Sequence, residues 1–256
     1  EDGICYPSIS YGFYPVFAET FGVKGTAVPL KDDFTIDIND YKNVGKSIVI
    51  ANPNAPTGIS LSLAQIEEIL ASNPDHVVMI DEAYVDFGGE SALPFLKKYN
   101  NLIVIQTFSK SRSLAGGRLG FAIASEEMIA DLNKIKFSFN PYNINRLTLL
   151  AGIAAVEDVE YFKSCTARIA ATREKTTQAL QALGFTVLPS KTNFIFANPN
   201  EISGTEYFTA LREKGVLVRH WQKAPIADFV RITIGSEEEM ETFVEITKEI
   251  LADEKK

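Results

Sequence analysis

The chain has 256 residues, enough for one large or two modest domains, and its 46% hydrophobic and 11% aromatic content supplies a substantial core. A formal net charge of −8 argues against a nucleic-acid or anionic-membrane surface, either of which wants a basic face, and an anionic ligand must be met by local cations against the global field. No apolar run of about 18 residues is present to span a bilayer; Cys5, Cys165, His76 and His220 are too few and scattered for a zinc site and read as reduced thiols and lone histidines of a cytoplasmic protein.

In chain order, an aromatic cluster, Ser10-Tyr-Gly-Phe-Tyr14, comes first. Ser47-Ile-Val-Ile50 then reads as a strand, apolar and β-branched as in a parallel sheet covered on both faces, and it runs into Ala51-Asn-Pro-Asn-Ala-Pro-Thr-Gly58. Ser62–Leu70 has a helical period with Ser60 or Ser62 as N-cap. A second such strand, Val77-Val-Met-Ile80, ends on Asp81-Glu-Ala-Tyr84, and a third, Leu102-Ile-Val-Ile105, leads into Thr107-Phe-Ser-Lys-Ser-Arg-Ser-Leu-Ala-Gly-Gly-Arg118. Ser125–Leu132 reads as a helix with Ser125 capping and acids in its first turn. This alternation predicts an α/β domain with a mainly parallel sheet over residues 1–150. A helical connector over 145–183, bent near Glu157-Asp158, leads to a smaller α+β domain placed at 151–256. Its predicted strands are Phe185–Leu188, Asn193–Phe196, Val216–Arg219 and Phe229–Ile234, with helices over 204–214 and 236–252 and a frayed tail from Asp253.

If the three apolar strands are parallel, Asn52 or Asn54, Asp81 with Tyr84, and Lys110 all emerge at the carboxyl edge, where open α/β sheets bind ligands. A lysine after a strand is by itself a solvated loop residue, and Asp81 by itself a helix cap. The coincidence of three rims makes a shared site the stronger reading. An asparagine, an acid, a phenol and an amine, with Ser109 and Arg118 for a phosphate, match the functional groups of pyridoxal phosphate. The amine makes the imine, and the acid holds a proton on the pyridine nitrogen so that the ring accepts electrons. The arginine suits a two-pronged phosphate contact. Gly116-Gly-Arg-Leu-Gly120 is neither a dinucleotide fingerprint nor a P-loop; its glycines let Arg118 double back toward the rim. Arg219 and Arg231 lie in apolar strand patterns, where an unpaired cation is costly, so each either pairs with an acid or faces a cleft that takes a phosphate or carboxylate. His220 and Trp221 are candidates for the same cleft.

Asn52–Gly58, Asp81–Tyr84, Thr107–Lys110, Leu114–Gly120 and Val230–Gly235 follow in the order and spacing of a known family: the chain resembles the fold type I pyridoxal-phosphate aminotransferases, most closely the histidinol-phosphate branch. The resemblance implies that Lys110 holds the cofactor as an imine and moves the proton, a step that needs the amine neutral. It gives Asp81 the pyridine nitrogen, Tyr84 the phenolic oxygen and Tyr11 the stacking face. Thr107, Ser109 and Arg118 become phosphate contacts, and Arg219 and Arg231 meet the anionic end of the substrate. Many relatives carry an asparagine where this chain has Ala55, so either Asn54 reaches in its place or Tyr84 acts alone. Leu114-Ala-Gly favours the histidinol-phosphate branch over the phosphothreonine decarboxylases, which often carry Pro-Gly there. The implied small-molecule substrates are histidinol phosphate and 2-oxoglutarate, and the implied assembly is a homodimer. Alternatives are an aromatic aminotransferase or phosphothreonine decarboxylase on the same scaffold, or a non-catalytic fragment. The chain opens at Glu1-Asp-Gly, where the family has already spent an N-terminal arm and a phosphate-gripping glycine loop. It is therefore expected to be a piece of a longer protein whose large domain is incomplete at its N-terminus.

Overall fold

The structure, a computed structural model, describes residues 3–253; the first two residues, and the tail expected to fray beyond Asp253, lie outside the described residues. The first half of the chain is built from β1 (Ile4–Pro7), α1 (Phe13–Thr20), β2 (Gly25–Val28), β3 (Ser47–Ala51), α2 (Leu63–Ser72), β4 (Val78–Asp81), β5 (Leu102–Thr107) and β6 (Gly120–Ala124). These strands pair in the order β2-β1-β3-β4-β5-β6, parallel throughout except for β5 with β6. The three apolar runs are its central strands, and their side chains alternate between two covered faces. Ile48, Ile50, Val78, Ile80, Leu102 and Val104 pack under Ile66, Ile69 and Leu70 of α2. Val49 and Ala51 turn the other way, toward Tyr6 and Tyr14. Ser62 begins α2 with a reciprocal capping box to Gln65, so two backbone N–H groups at the helix start find partners.

The register sets Ala51, Asp81 and Ile105 side by side. The ends of β3 and β4 are therefore level, β5 runs on to Thr107, and the loops after all three share one rim.

The second half comprises α3 (Glu126–Phe139), α4 (Arg146–Glu157), α5 (Val159–Ala182), β7 (Thr186–Val187), β8 (Phe194–Asn198), α6 (Gly204–Glu213), β9 (Arg219–His220), β10 (Val230–Thr233) and α7 (Glu237–Asp253). The helical connector breaks at Asp158, which ends α4 and caps α5 by accepting the Tyr161 N–H. A four-stranded antiparallel sheet, β7-β8-β10-β9, packs Ile195, Ala197, Val230 and Ile232 against Tyr207, Leu211 and Phe243 of α6 and α7. The strand expected over Val216–Arg219 is shorter: only Arg219 and His220 pair with β10, because the Val216 N–H donates to Leu211 O and finishes the turn after α6.

Ring packing and buried hydrogen bonds join the halves. Phe34, from the loop after β2, packs edge-on against Phe196 and Phe229 of the small sheet, at 6.3 and 5.1 Å between ring centres. Arg173 of α5 is 4% exposed and donates from one guanidinium nitrogen to Phe87 O at 2.8 Å and to Thr192 O at 2.7 Å. One side chain thus ties the loop after β4 to the loop before β8. No helix among the described residues is long and apolar enough to cross a membrane.

Candidate active site

A cavity of about 580 Å³ opens between the rim and the small sheet, within the usual range for a small-molecule or cofactor site. Tyr11, Tyr84, Lys110, Arg219, Trp221 and Arg231 line it. Lys110 sits past the end of β5 on a loop pinned at both sides. The Ser111 hydroxyl donates to Asp86, Arg112 donates to Ala155 O at 2.8 Å, and the Arg112 guanidinium lies 3.6 Å from the ring centre of Phe162. The Lys110 Nζ itself faces the Tyr84 ring at 5.2 Å and has no carboxylate in an ion pair with it among the described residues.

Asp81 ends β4. Its Oδ1 accepts the Ala83 N–H at 3.1 Å and its Oδ2 accepts the Tyr14 hydroxyl at 2.8 Å. Burial raises its proton affinity above the ordinary carboxylate range, while Tyr14, the Ala83 amide and the nearby Lys110 ammonium pull it back. Tyr84 follows at the start of a tight turn over Val85–Phe87, with its ring edge-on to Phe194 at 5.1 Å.

On the opposite wall, the Arg231 guanidinium stacks over Phe194 at 5.0 Å, and Arg219 lies over Trp221 at 5.2 Å. The Nε of Arg231 is buried with no hydrogen-bond partner. Burial lowers its proton affinity, Tyr84 works against that and Arg219 adds to it. An anion arriving between the two arginines relieves the desolvation, the repulsion and the orphaned donor together.

Other predicted site residues are held elsewhere. Asn52 is 1% exposed and spends its amide on the backbone of Leu61, accepting from its N–H at 2.7 Å and donating to its O. Asn54 accepts from Ser10 and donates to Ile9 O and Thr57. It bridges the two rim loops, while Ala55 lines the cavity. The Thr107 Oγ1 accepts the Ser109 N–H at 3.0 Å, a contact within the loop. Arg118 has a left-handed backbone, φ 52°, and its exposed guanidinium donates to Ala115 O at 3.0 Å. It lies outside the cavity lining. His220 turns away to Ala227 O and stacks on Phe208, leaving Trp221 as the aromatic wall. Tyr14 was not among the predicted site residues. Its partner lies 67 positions on, and no local pattern marks such a pair.

The sequence model of the aminotransferase class I and II family matches residues 1–246. A curated histidinol-phosphate aminotransferase of Brachyspira hyodysenteriae is 54% identical over 251 residues, 98% of this chain and 71% of that protein. Among solved structures, the histidinol-phosphate aminotransferase of Clostridium acetobutylicum superposes with a TM-score of 0.90 at 26% identity, over 98% of this chain and 78% of that one. The Sinorhizobium meliloti enzyme, solved in complex with pyridoxal-5'-phosphate, shares the fold at a TM-score of 0.85 and 24% identity, over 98% of this chain and 70% of that one. A match that runs almost the whole chain, joined to an amine, an acid and a phenol on one sheet rim, is more than a shared motif: the chain belongs to the class I and II aminotransferases and is a pyridoxal-phosphate-dependent enzyme.

Proposed function

We propose that the enzyme exchanges the amino group of histidinol phosphate for the oxo group of 2-oxoglutarate, a step of histidine biosynthesis, with Lys110, Asp81 and Tyr84 as the catalytic residues. The observation that carries this reading is the placement of Lys110 and Tyr84 across one cavity from Arg219 and Arg231. Within it an uncommitted amine and an orphaned buried arginine nitrogen, with the Asp81 carboxylate behind the lining and near enough to feel the Lys110 charge, suit a cationic ring and an anionic substrate.

Bound there, pyridoxal phosphate supplies an aldehyde for imine exchange and a ring that draws electrons from the bond being broken. Lys110 Nζ would take the proton from the amine-bearing carbon of the substrate and deliver it to the cofactor side instead of back to that carbon, base and acid at one atom. Asp81 would hold the proton on the ring nitrogen, Tyr84 would serve the phenolic oxygen, and Tyr11 would cover the ring. Asn52 and Asn54 act from behind by fixing the rim loops. Thr107 at the end of β5, with Ser109 and Arg118 on the segment that follows, are the residues we assign to the phosphate. Arg219 and Arg231 hold the phosphate of one substrate and a carboxylate of the other, and Trp221 keeps water from that wall.

Glutamate formation from 2-oxoglutarate that depends on histidinol phosphate is the expected result with the cofactor-loaded enzyme. Carbon dioxide release from phosphothreonine, with no glutamate formed, would instead identify a decarboxylase. Replacing Arg231 by Met should remove a charged two-pronged contact worth about 1.5–3 kcal/mol. The KM for histidinol phosphate then rises by roughly one to two orders of magnitude, with a smaller change in kcat; an unchanged KM excludes Arg231 from substrate binding.

We assign the PLP-binding large domain to residues 1–150 and the small domain to 151–256, and we place the enzyme in the cytoplasm, where the free thiols of Cys5 and Cys165 persist. The working form is a homodimer. Its support is an apolar face left open on one side: α3 buries none of its residues, and Phe139, Tyr142 and Leu147 are 84, 92 and 79% exposed. Light scattering is expected to return twice the chain mass, and a monomer at all concentrations contradicts the assembly.

A further inference from the structure

We propose that Tyr14 is a positioning residue for Asp81: its hydroxyl keeps the carboxylate ionised and turned so that its free lone pairs meet the ring N–H of the cofactor, an assignment that rests on the cofactor reading above. Tyr14 is 6% exposed, and its hydroxyl lies 2.8 Å from Asp81 Oδ2. A carboxylate oxygen accepts about two hydrogen bonds, and Oδ1 and Oδ2 each take one, from Ala83 and Tyr14. One lone pair on each oxygen is left for a ligand.

The environment makes this donor matter. Burial is the leading influence on Asp81 and favours its neutral form; of the groups that oppose it, the Tyr14 hydroxyl is the foremost, ahead of the Ala83 amide and the Lys110 ammonium. A neutral acid here could not hold a proton on a ring nitrogen. Burial and the Asp81 charge push the Tyr14 phenol far up, so it remains a donor at every working pH. The groups acting on Asp81 are the Tyr14 hydroxyl from α1, with Tyr11 behind it, the Ala83 N–H and the Lys110 ammonium from the loop after β5. Glu82, next in the chain, is committed to Gln106, Ser91 and the Ala92 N–H. The ring of Tyr11 meets that of Tyr14 edge-on at 5.5 Å, so one short segment supplies both the stacking face and the support for the acid.

Pyridoxamine 5'-phosphate, which forms no imine with Lys110, is the probe. Its dissociation constant is measured by fluorescence between about pH 5 and 9 for the unchanged chain and for Tyr14→Phe, Asp81→Asn and the double variant. Tyr14→Phe is expected to bind about tenfold more weakly at the alkaline end. Its affinity is also expected to fail at higher pH on acidification, because removing a donor from the charged form raises the carboxyl further. In the Asp81→Asn background the same change should cost less than about twofold. Equal losses in both backgrounds with an unmoved pH limb, or no loss at all, would overturn the assignment. If the unchanged chain fails to bind the probe, the cofactor reading falls and this proposal with it, a result seen before any substitution is compared. Should Tyr14→Phe fail to fold, Tyr14→His is read on the same pH scale, and an unmoved limb again overturns it.

Discussion

Lys110→Ala is expected to abolish transamination, with a loss of at least about a thousandfold, while the protein stays folded. The rate loss follows from removing the one amine on the rim that can both form the imine and move the proton; general acid–base transfer alone is worth about 10²–10⁴-fold. The retained fold follows from what Lys110 does not do. Its Nζ has a ring contact with Tyr84 and no ion pair among the described residues, while the loop around it is held by Ser111 and Arg112. Its removal should therefore shift stability by less than about 0.5 kcal/mol. A steady-state assay beside a thermal melt checks both halves. Turnover within tenfold of the unchanged enzyme would remove Lys110 from the chemistry.

The second large effect is on stability. Arg173→Met should lower the thermal midpoint by roughly 4–20 °C, from a loss of about 2–5 kcal/mol at about 2–4 °C per kcal/mol for a chain of this size. Met keeps most of the apolar stem but leaves Phe87 O and Thr192 O without their donor, and each orphaned buried carbonyl costs about 1–3 kcal/mol. Relief of the buried charge works in the opposite direction. That charge already has Glu174 at 3.1 Å, however, so the two carbonyls decide the sign. Because those carbonyls belong to the loop after Tyr84 and the loop before Phe194, the variant should also bind the anionic substrate more weakly than it binds the cofactor. Differential scanning calorimetry gives the first quantity; a midpoint shift under about 2 °C would show that Arg173 does not join the halves.

The parts of this molecule that could be read from its sequence are those whose physics is local. Ser47–Ile50, Val77–Ile80 and Leu102–Ile105 announce central parallel strands because both of their faces are covered, and Ser62 and Ser125 announce helix starts because capping is a matter of three residues. The short β1 and the half-exposed Gly25–Val28 of β2 have too little apolar signal to stand out, and β6 returns antiparallel over Gly120–Ala124, directly after the Gly116–Gly120 segment read as a turn.

The candidate site divides in the same way. Lys110, Asp81 and Tyr84 follow directly from strand ends, whereas Tyr14 meets Asp81 across 67 positions and Arg173 meets Phe87 across 86. Neither partner is marked by any periodicity, and Arg173 lies in a helix that is otherwise rich in exposed charge. Asn52 and Asn54 illustrate the converse: residue type and rim position suggested a ligand contact, while their amides satisfy the buried backbone of neighbouring loops. Only the folded chain shows where a buried amide spends its hydrogen bonds.

The central claim is that Lys110 is the amine that holds the cofactor. Borohydride reduction of the pyridoxal-phosphate-loaded enzyme, followed by peptide mapping by mass spectrometry, tests it directly. A phosphopyridoxyl group on the peptide carrying Lys110 is the predicted result; a reduced label fixed at another lysine, or none at all, contradicts it.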